Sequence, residues 1–401
     1  MSYGRVGELM ADLCRDGRGW LLVVISVGQL LSIGVRVVLP TLLPQIKAAF
    51  VVSNTVAGVL LSVVWVSYAL GQLPGGLLAD AVGERIAMVA SMALATASLG
   101  LVAAAPSFWP FALGLFLLGL GTGLYATPRV TAIADIYPER AATALGINQA
   151  VGNLGNTVLP VAAAVVTGWY SWRIGLGMTL PAFCVVVAGL SFVVPPRTST
   201  APDREGETRG ATARQVVLAA VRRPVLLSTG AMVLIGFVWQ GFTAFLPTYL
   251  IDVKGFPQST AALALGTFFL GGTILQPLVG GLADRFHERR ILVATTAGTA
   301  VGLAGFPFVS SLPAVLGLAA LSSLQLAFWP VVFAYVPRAI PDAVQGSTFG
   351  LVRTGFLLVG ATGPVVTGAL ADAGFFEESF LLFAAIGGLA TILLVRLPDL
   401  V

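Results

Sequence analysis

The stretch Gly75–Arg85, GGLLADAVGER, returns slightly altered as VGGLADRFHER at Val279–Arg289. The aspartate of the second copy follows that of the first by 204 residues, in a chain of 401 residues. Each copy ends an apolar stretch long enough to cross a bilayer, for which about 20 residues suffice. The sequence therefore predicts a membrane protein built from two related halves.

The composition also places this chain in a lipid environment. Hydrophobic residues make up 57% of the sequence and charged residues 10%, which is too apolar for a soluble protein of this size. We predict an all-α polytopic membrane protein with twelve transmembrane helices, here called spans 1 to 12. Their predicted limits are 20–43, 55–79, 86–105, 109–129, 142–167, 174–194, 225–248, 260–283, 291–311, 314–336, 347–370 and 379–397.

The basic residues predict the orientation of these spans. Of the 22 lysines and arginines, 17 fall on the side of the chain termini. Lys47, Arg173 and Lys254 fall on the opposite side, and Arg36 and Arg353 fall inside spans. Cytoplasmic loops carry an excess of Lys and Arg, so both termini are predicted to be cytoplasmic.

A polar stretch divides the chain into two sets of six spans. We predict a cytoplasmic linker at 195–224 between an N-terminal bundle, 1–194, and a C-terminal bundle, 225–401. The 204-residue offset also relates Gln72 to Gln276 and Pro160 to Pro364. Because six is an even number, the two halves have the same orientation and form parallel repeats. The chain contains no G-x-x-x-x-G-K-[ST] motif, which argues against transport driven by ATP.

Two sets of six spans, a central cytoplasmic loop and the doubled G-x-L-A-D-x-x-G-x-R-like segments resemble the major facilitator superfamily. The pattern usually has Arg where Ala81 stands and Gly where His287 stands. The resemblance implies a monomeric secondary transporter that works by alternating access in the plasma membrane of a prokaryote. It implies the lipid bilayer and a small-molecule substrate as partners, with no cofactor and no nucleic acid.

The resemblance also assigns a role to the repeated motif. In the family, the motif aspartate meets the start of a helix in the other half, where unpaired N–H groups carry partial positive charge. Asp80 is thus expected near Gly346 and Ser347, and Asp284 near Ala142. The alternative is that these charges only mark a membrane boundary. The predicted conformational latch comprises Gly76, Asp80, Arg85, Gly280, Asp284 and Arg289.

The positions of the acidic residues bear on the charge of the substrate. All 18 fall outside the predicted spans, and the only histidine, His287, falls in a loop. Many transporters bind protons or cationic substrates through a carboxylate inside the membrane. A cationic substrate is therefore disfavoured, while coupling to a proton or exchange against a counter-substrate both stay open.

Two arginines inside spans predict an anion site. Arginine stays protonated and offers a planar set of donors that matches carboxylate or phosphate. The offset pairs Arg36 with Gln240 and Arg353 with Gln149, so each arginine has an amide as its counterpart. The alternative is structural, because a long arginine side chain can reach the interface or bind backbone carbonyls.

Further site candidates follow from helical spacing and from the resemblance. Asn153 shares a helix face with Gln149. Spans 1, 4, 7 and 10 line the cavity in the superfamily, which adds Tyr125, Trp239 and Trp329, although aromatic side chains more often pack helices together. The predicted substrate-binding residues are Arg36, Gln240, Arg353, Gln149, Asn153, Tyr125, Trp239 and Trp329.

The functional prediction is the transport of a small organic anion, such as a carboxylate, sugar acid or phosphate ester. One alternative is a multidrug exporter of amphipathic compounds, in which the arginines are structural. Another is a membrane receptor without transport activity. The sequence has a single histidine and no cluster with metal-ligand spacing, so neither a metal site nor an enzyme is predicted.

Overall fold

The computed structural model describes residues 18–198, 213–283, 285–341 and 344–398. Across these ranges the chain is helical between short turns, and twelve helical stretches are long and apolar enough to cross a membrane. The predicted all-α architecture with twelve spans is confirmed. The spans are Gly19–Phe50, Asn54–Val82, Glu84–Ala104, Phe108–Ile136, Thr143–Trp169, Trp172–Val193, Arg223–Asp252, Gln258–Ala283, Glu288–Phe308, Leu312–Arg338, Ser347–Asp372 and Phe376–Val395.

Several helices are longer than predicted. The helix of span 1 covers Arg18–Phe50, or 33 residues. At a rise of 1.5 Å per residue it is about 50 Å long, against about 30 Å for the hydrocarbon core. Asp80, Asp135 and Asp372 were expected between spans but lie in the last turns of helices. The helices continue beyond the apolar sequence because their backbone hydrogen bonds also form outside the hydrocarbon core.

Three spans are interrupted within the membrane. Span 11 breaks between Gly360 and Gly363, and Pro364 occupies the start of its second segment. Proline lacks an N–H group and is best tolerated in the first turn of a helix, which is where Pro364 stands after this break. The segments are Trp172–Gly177 and Leu180–Val193 in span 6, Leu312–Ser322 and Leu324–Arg338 in span 10, and Gln345–Gly360 and Gly363–Asp372 in span 11.

The chain groups into two compact units. The first unit contains Met1–Leu39 and Val66–Ala201, and the second contains Pro40–Trp65 and Pro202–Val401. The hairpin Pro40–Trp65, formed by the end of span 1 and the start of span 2, thus packs with the second half of the chain. The predicted bundle limits at the linker stay a prediction. Part of the predicted linker, Ala213–Ala220, is a short helix.

The turns between spans alternate between two sides. We call the side of the chain termini the near side. The far side holds the turns after spans 1, 3, 5, 7, 9 and 11.

Glycines set the spacing of spans 2 and 4 in the first unit. A Cβ atom added at Gly71 would lie 2.7 Å from the carbonyl oxygen of Leu120, and one at Gly123 would meet the backbone of Tyr68. Small residues let membrane helices approach until their backbones touch. This contact fixes the position of Tyr68, which matters for the site described below.

We predict that Gly71→Val destabilises the protein by about 1–3 kcal/mol, because the added side chain must push two backbones apart. Thermal unfolding of the purified protein in detergent measures the effect. Gly100→Val is the matched control, since a Cβ atom there has no neighbour within 4 Å. Equal unfolding temperatures for the two variants would contradict the close packing of spans 2 and 4.

Candidate functional site

Arg36 lies buried near the middle of the span 1 helix, with 6% of its surface exposed. Its Nε donates a hydrogen bond to the carbonyl oxygen of Ser32 at 3.1 Å. Its guanidinium carbon lies 3.8 Å from the centre of the Tyr68 ring, on span 2. The structure therefore holds a permanent positive charge deep inside the first unit.

The Tyr68 ring orients this charge. A cation over an aromatic face is stabilised by about 2 kcal/mol when desolvated. The guanidinium carries its five N–H donors in one plane, a set that matches a carboxylate. The sequence analysis did not select Tyr68, although an aromatic residue at mid-span beside an arginine is a usable signal.

Tyr125 serves helix packing in this structure. Its side chain is fully buried, and its hydroxyl donates to the carbonyl oxygen of Ile25 at 2.8 Å. This hydrogen bond ties span 4 to span 1. A direct contact of Tyr125 with substrate stays a prediction.

The amides of span 5 lie on one face, as their spacing predicts. Gln149 is exposed and its Nε2 donates to Oδ1 of Asn153 at 3.3 Å. Both side chains belong to the first unit, as does Arg36. Their proposed role in substrate binding is not tested by this contact.

A buried polar network beside these amides was missed by the sequence analysis. Asn148 is fully buried; its Oδ1 accepts from Arg129, and its Nδ2 donates to the Ser26 hydroxyl at 3.1 Å. Spans 1, 4 and 5 are thereby joined. The sequence analysis selected the neighbouring amides Gln149 and Asn153 but not Asn148. A shift of one residue on a helix turns a side chain by about 100°, so Asn148 faces different neighbours.

The second unit contains an array of tryptophans. The rings of Trp239 and Trp329 lie 6.3 Å apart at 65°, and those of Trp65 and Trp239 lie 5.1 Å apart at 64°. Trp329 also lies 4.9 Å from Phe356. Edge-to-face contacts of this kind stabilise aromatic clusters. Two predicted site residues are thus brought together, with Trp65 of the hairpin Pro40–Trp65 as a third member.

Three polar atoms in this part of the second unit are buried without a hydrogen-bond partner among the described residues. They are Nε1 of Trp239, Oε1 of Gln240 and Oε1 of Gln325. The Gln240 Nε2 donates to the Leu357 carbonyl at a long 3.5 Å. Buried polar groups without partners are costly, so these three atoms are candidates for contacts with a substrate.

Arg353 is exposed on the first segment of span 11, one helical turn before Leu357. It belongs to the second unit, whereas Arg36 belongs to the first. The convergence of the two arginines on one anion stays a prediction.

The first copy of the repeated motif lies at the near side of the first unit. Asp80 is exposed, and its carbonyl and that of Ala81 face the guanidinium of Arg197, at 3.5 and 3.1 Å. The backbone N–H of Thr198 donates to the Glu84 carboxylate at 2.9 Å. The start of the predicted linker therefore contacts the first copy of the repeated motif. The sequence analysis did not predict this contact. Gly76 and Arg85 flank these residues on their helices.

The second copy is described only in part. Asp284 lies outside the described residues. Arg289 donates to the Leu397 carbonyl at 3.4 Å, which joins the start of span 9 to the end of span 12. A Cβ atom at Gly280 would have no neighbour within 4 Å. The latch that these residues were predicted to form stays a prediction.

We predict that Tyr125→Phe lowers the free energy of unfolding by about 1 kcal/mol, because the Ile25 carbonyl loses its buried donor. Thermal unfolding gives the stability, and transport kinetics give the KM. Tyr170→Phe, at an exposed tyrosine, is the control. A large increase of the KM without loss of stability would instead place Tyr125 against the substrate.

Comparison with known proteins identifies the family. Two overlapping matches, at residues 25–266 and 255–400, fit the model of the Major Facilitator Superfamily. The chain belongs to this superfamily. The resemblance predicted from the repeated motif is confirmed, and the protein is a multi-pass membrane transporter of small molecules.

Two curated relatives of this superfamily member match most of its length. A probable sulfoacetate transporter of Cupriavidus necator is 25% identical, over 89% of this chain and 88% of the relative. A cis,cis-muconate transport protein of Acinetobacter baylyi is 27% identical, over 86% of this chain and 85% of the relative.

A solved structure agrees with the fold. The chain is similar to a bacterial homologue of the human lysosomal transporter Spinster, with a TM-score of 0.78 at 17% identity. The match covers 95% of this chain and 96% of the other. The predicted major facilitator fold is confirmed.

Proposed function

We propose that this transporter carries a small organic anion across the plasma membrane of a prokaryote by alternating access. Its near side, with both termini, is cytoplasmic in this proposal. The transporter acts as a monomer, either coupled to protons or exchanging one anion for another.

The observation that carries the proposal is the buried guanidinium of Arg36. A charge in the middle of a membrane span is costly and marks a functional site by default. Each acidic residue that the structure describes lies in a terminal turn of a helix or between helices. The interior of the described spans therefore offers positive charge and no carboxylate, which suits an anionic substrate.

The proposed contacts divide between the two units. In the first, Arg36 binds the anionic group, with Gln149 and Asn153 as the polar groups of span 5. In the second, Trp239 and Gln240 offer a donor and an acceptor that have no hydrogen-bond partner among the described residues, and Trp329 offers an aromatic surface. Arg353 supplies a second positive charge for substrates with two anionic groups.

The relatives support this substrate class. Sulfoacetate and cis,cis-muconate each carry two anionic groups on a small carbon chain. The names of the two relatives thus agree with a site that contains two arginines. The choice among carboxylates, sugar acids and phosphate esters is made by the experiment below.

We predict that Arg36→Gln weakens anion transport roughly 10- to 100-fold in kcat/KM, because the substrate loses a charge-assisted hydrogen bond inside the membrane. Uptake of labelled sulfoacetate, cis,cis-muconate, a sugar acid and a phosphate ester into proteoliposomes measures the effect. Arg338→Gln removes the same charge at an exposed ion pair with Glu288 and serves as the control.

Uptake that is equal in the two arginine variants would contradict an anion site at Arg36. Transport of amphipathic compounds, unaffected by Arg36→Gln, would instead show the multidrug exporter. Absence of transport for every compound, with no alternating accessibility, would show a receptor.

We further propose that Asp80 and Asp284 latch the near side by capping helix starts at spans 11 and 5, together with Gly76, Arg85, Gly280 and Arg289. We predict that Asp80→Asn reduces the transport rate severalfold, since a charge at a helix start contributes about 0.3–1 kcal/mol. The same uptake assay measures this rate. Glu378→Gln, at an exposed acid on the far side, is the control; equal rates in the two variants would rule out the latch.

A further inference from the structure

The start of span 2 is capped by a carboxylate from span 11. Asp372 accepts hydrogen bonds from the backbone N–H of Asn54 at 2.9 Å and of Thr55 at 2.7 Å. The Thr55 hydroxyl also donates to it, at 2.6 Å. The first N–H groups of a helix have no partner within the helix, and they carry partial positive charge. One carboxylate therefore satisfies three donors of the hairpin Pro40–Trp65.

The backbones of spans 2 and 11 touch beside this cap. A Cβ atom at Gly58 would collide with the carbonyl of Pro364, and one at Gly368 would collide with the carbonyl of Asn54. Residue numbers rise in span 2 as they fall in span 11, so the helices are antiparallel here. The cap at Asp372 is the last contact of this tight interface, at its far-side end.

Three more contacts join the hairpin to the second half of the chain at the far side. Lys47 forms an ion pair with Asp252 at 3.0 Å. Gln258, at the start of span 8, lies 2.5 Å from the Gln45 amide and donates to the Thr41 carbonyl at 3.4 Å. The starts of spans 2 and 8 are thus both held by side chains from other spans.

We propose that Asp372 is a far-side latch, which holds the far side closed and is released when the far side opens. The proposal rests on the alternating access proposed above. In it, Asp372 at the end of span 11 caps span 2, and Asp80 at the end of span 2 caps span 11. The same two helices thereby carry one latch at each end.

The antiparallel arrangement explains why two such caps can exist. The start of span 2, with its partial positive charge, lies beside the end of span 11. In the proposal, closing the near side brings the start of span 11 to the end of span 2 in the same way. An acid in the last turn of each helix therefore meets the start of its partner. Opening one side separates one acid from its donors, so the two caps are not formed together.

The repeat indicates that this far-side latch is specific to one pair of helices. The residue 204 positions before Asp372 is Gly168, at the end of span 5, which has no acid to offer. The counterpart of Asn54 is Gln258, which contacts the amide of Gln45 instead. Only the pair of spans 2 and 11 carries an ionic cap at this side among the described residues.

Cysteine labelling tests the latch without any substrate. Cys14→Ser and Cys184→Ser remove the native thiols, and Thr41→Cys provides a reporter, because this residue is fully buried at the far-side contact. A membrane-impermeant maleimide then labels the reporter only when the far side opens. We expect Asp372→Asn to raise the labelling rate roughly three- to tenfold, because the amide keeps one acceptor oxygen but turns the oxygen that accepts from both Thr55 donors into an NH2 group. Asp80→Asn should lower the rate.

A matched control and a second variant make the outcome decisive. Glu377→Gln removes an acid that pairs with Lys254 at 2.9 Å on the same side, in a contact that does not involve the hairpin. Its labelling rate should equal that of the parent. Thr55→Val removes one donor to Asp372 and should raise the rate in the same direction, which keeps the test available if Asp372→Asn folds poorly.

The results separate the latch from the transport proposal. Faster labelling in Asp372→Asn and Thr55→Val supports the latch, even if the parent carries none of the anions offered. An unchanged rate in both variants, or an equal rise in Glu377→Gln, overturns the latch even if anion transport is established.

Discussion

Hydrocarbon solvates neither backbone polar groups nor charges, and this constraint shapes every part of the molecule. It requires continuous helices with internal hydrogen bonds. It also drives the described acidic residues to the terminal turns of the helices or to the turns between them. A charge that remains at mid-span, such as Arg36, needs local compensation, which the Tyr68 ring and the Ser32 carbonyl provide. The compensated charge of Arg36 and the capped helix starts both follow from the free-energy cost of placing polar groups in hydrocarbon.

Buried polar side chains serve two purposes in this molecule. In the first unit, Tyr125, Asn148 and Arg129 are joined to neighbouring helices and hold spans 1, 4 and 5 together. In the second unit, Trp239 and Gln240 each keep one polar atom that has no hydrogen-bond partner in the described part of the chain. Some buried polar groups thus join helices, while others keep a donor or an acceptor that a substrate can satisfy.

The sequence was sufficient for the spans and their duplication, because hydrophobicity over about 20 residues and a repeated motif are local signals. It was insufficient for contacts between helices. Gln149 and Asn148 differ by one position, yet one is exposed and the other is fully buried between spans. Rotation of a helix about its axis decides this, and no pattern within one span fixes that rotation. Asp372 was missed for a related reason, since an acid at the end of a span resembles an ordinary membrane boundary.

The contact between Trp65 and Trp239 gives the molecule an optical property. Two indoles 5.1 Å apart at 64° are close enough for their excited states to interact. Trp65 belongs to the hairpin that the far-side contacts hold, whereas Trp239 belongs to span 7. Any movement of the hairpin therefore changes the near-ultraviolet circular dichroism and the emission of this pair. This tryptophan pair is therefore an intrinsic spectroscopic reporter of the hairpin, and no dye has to be attached.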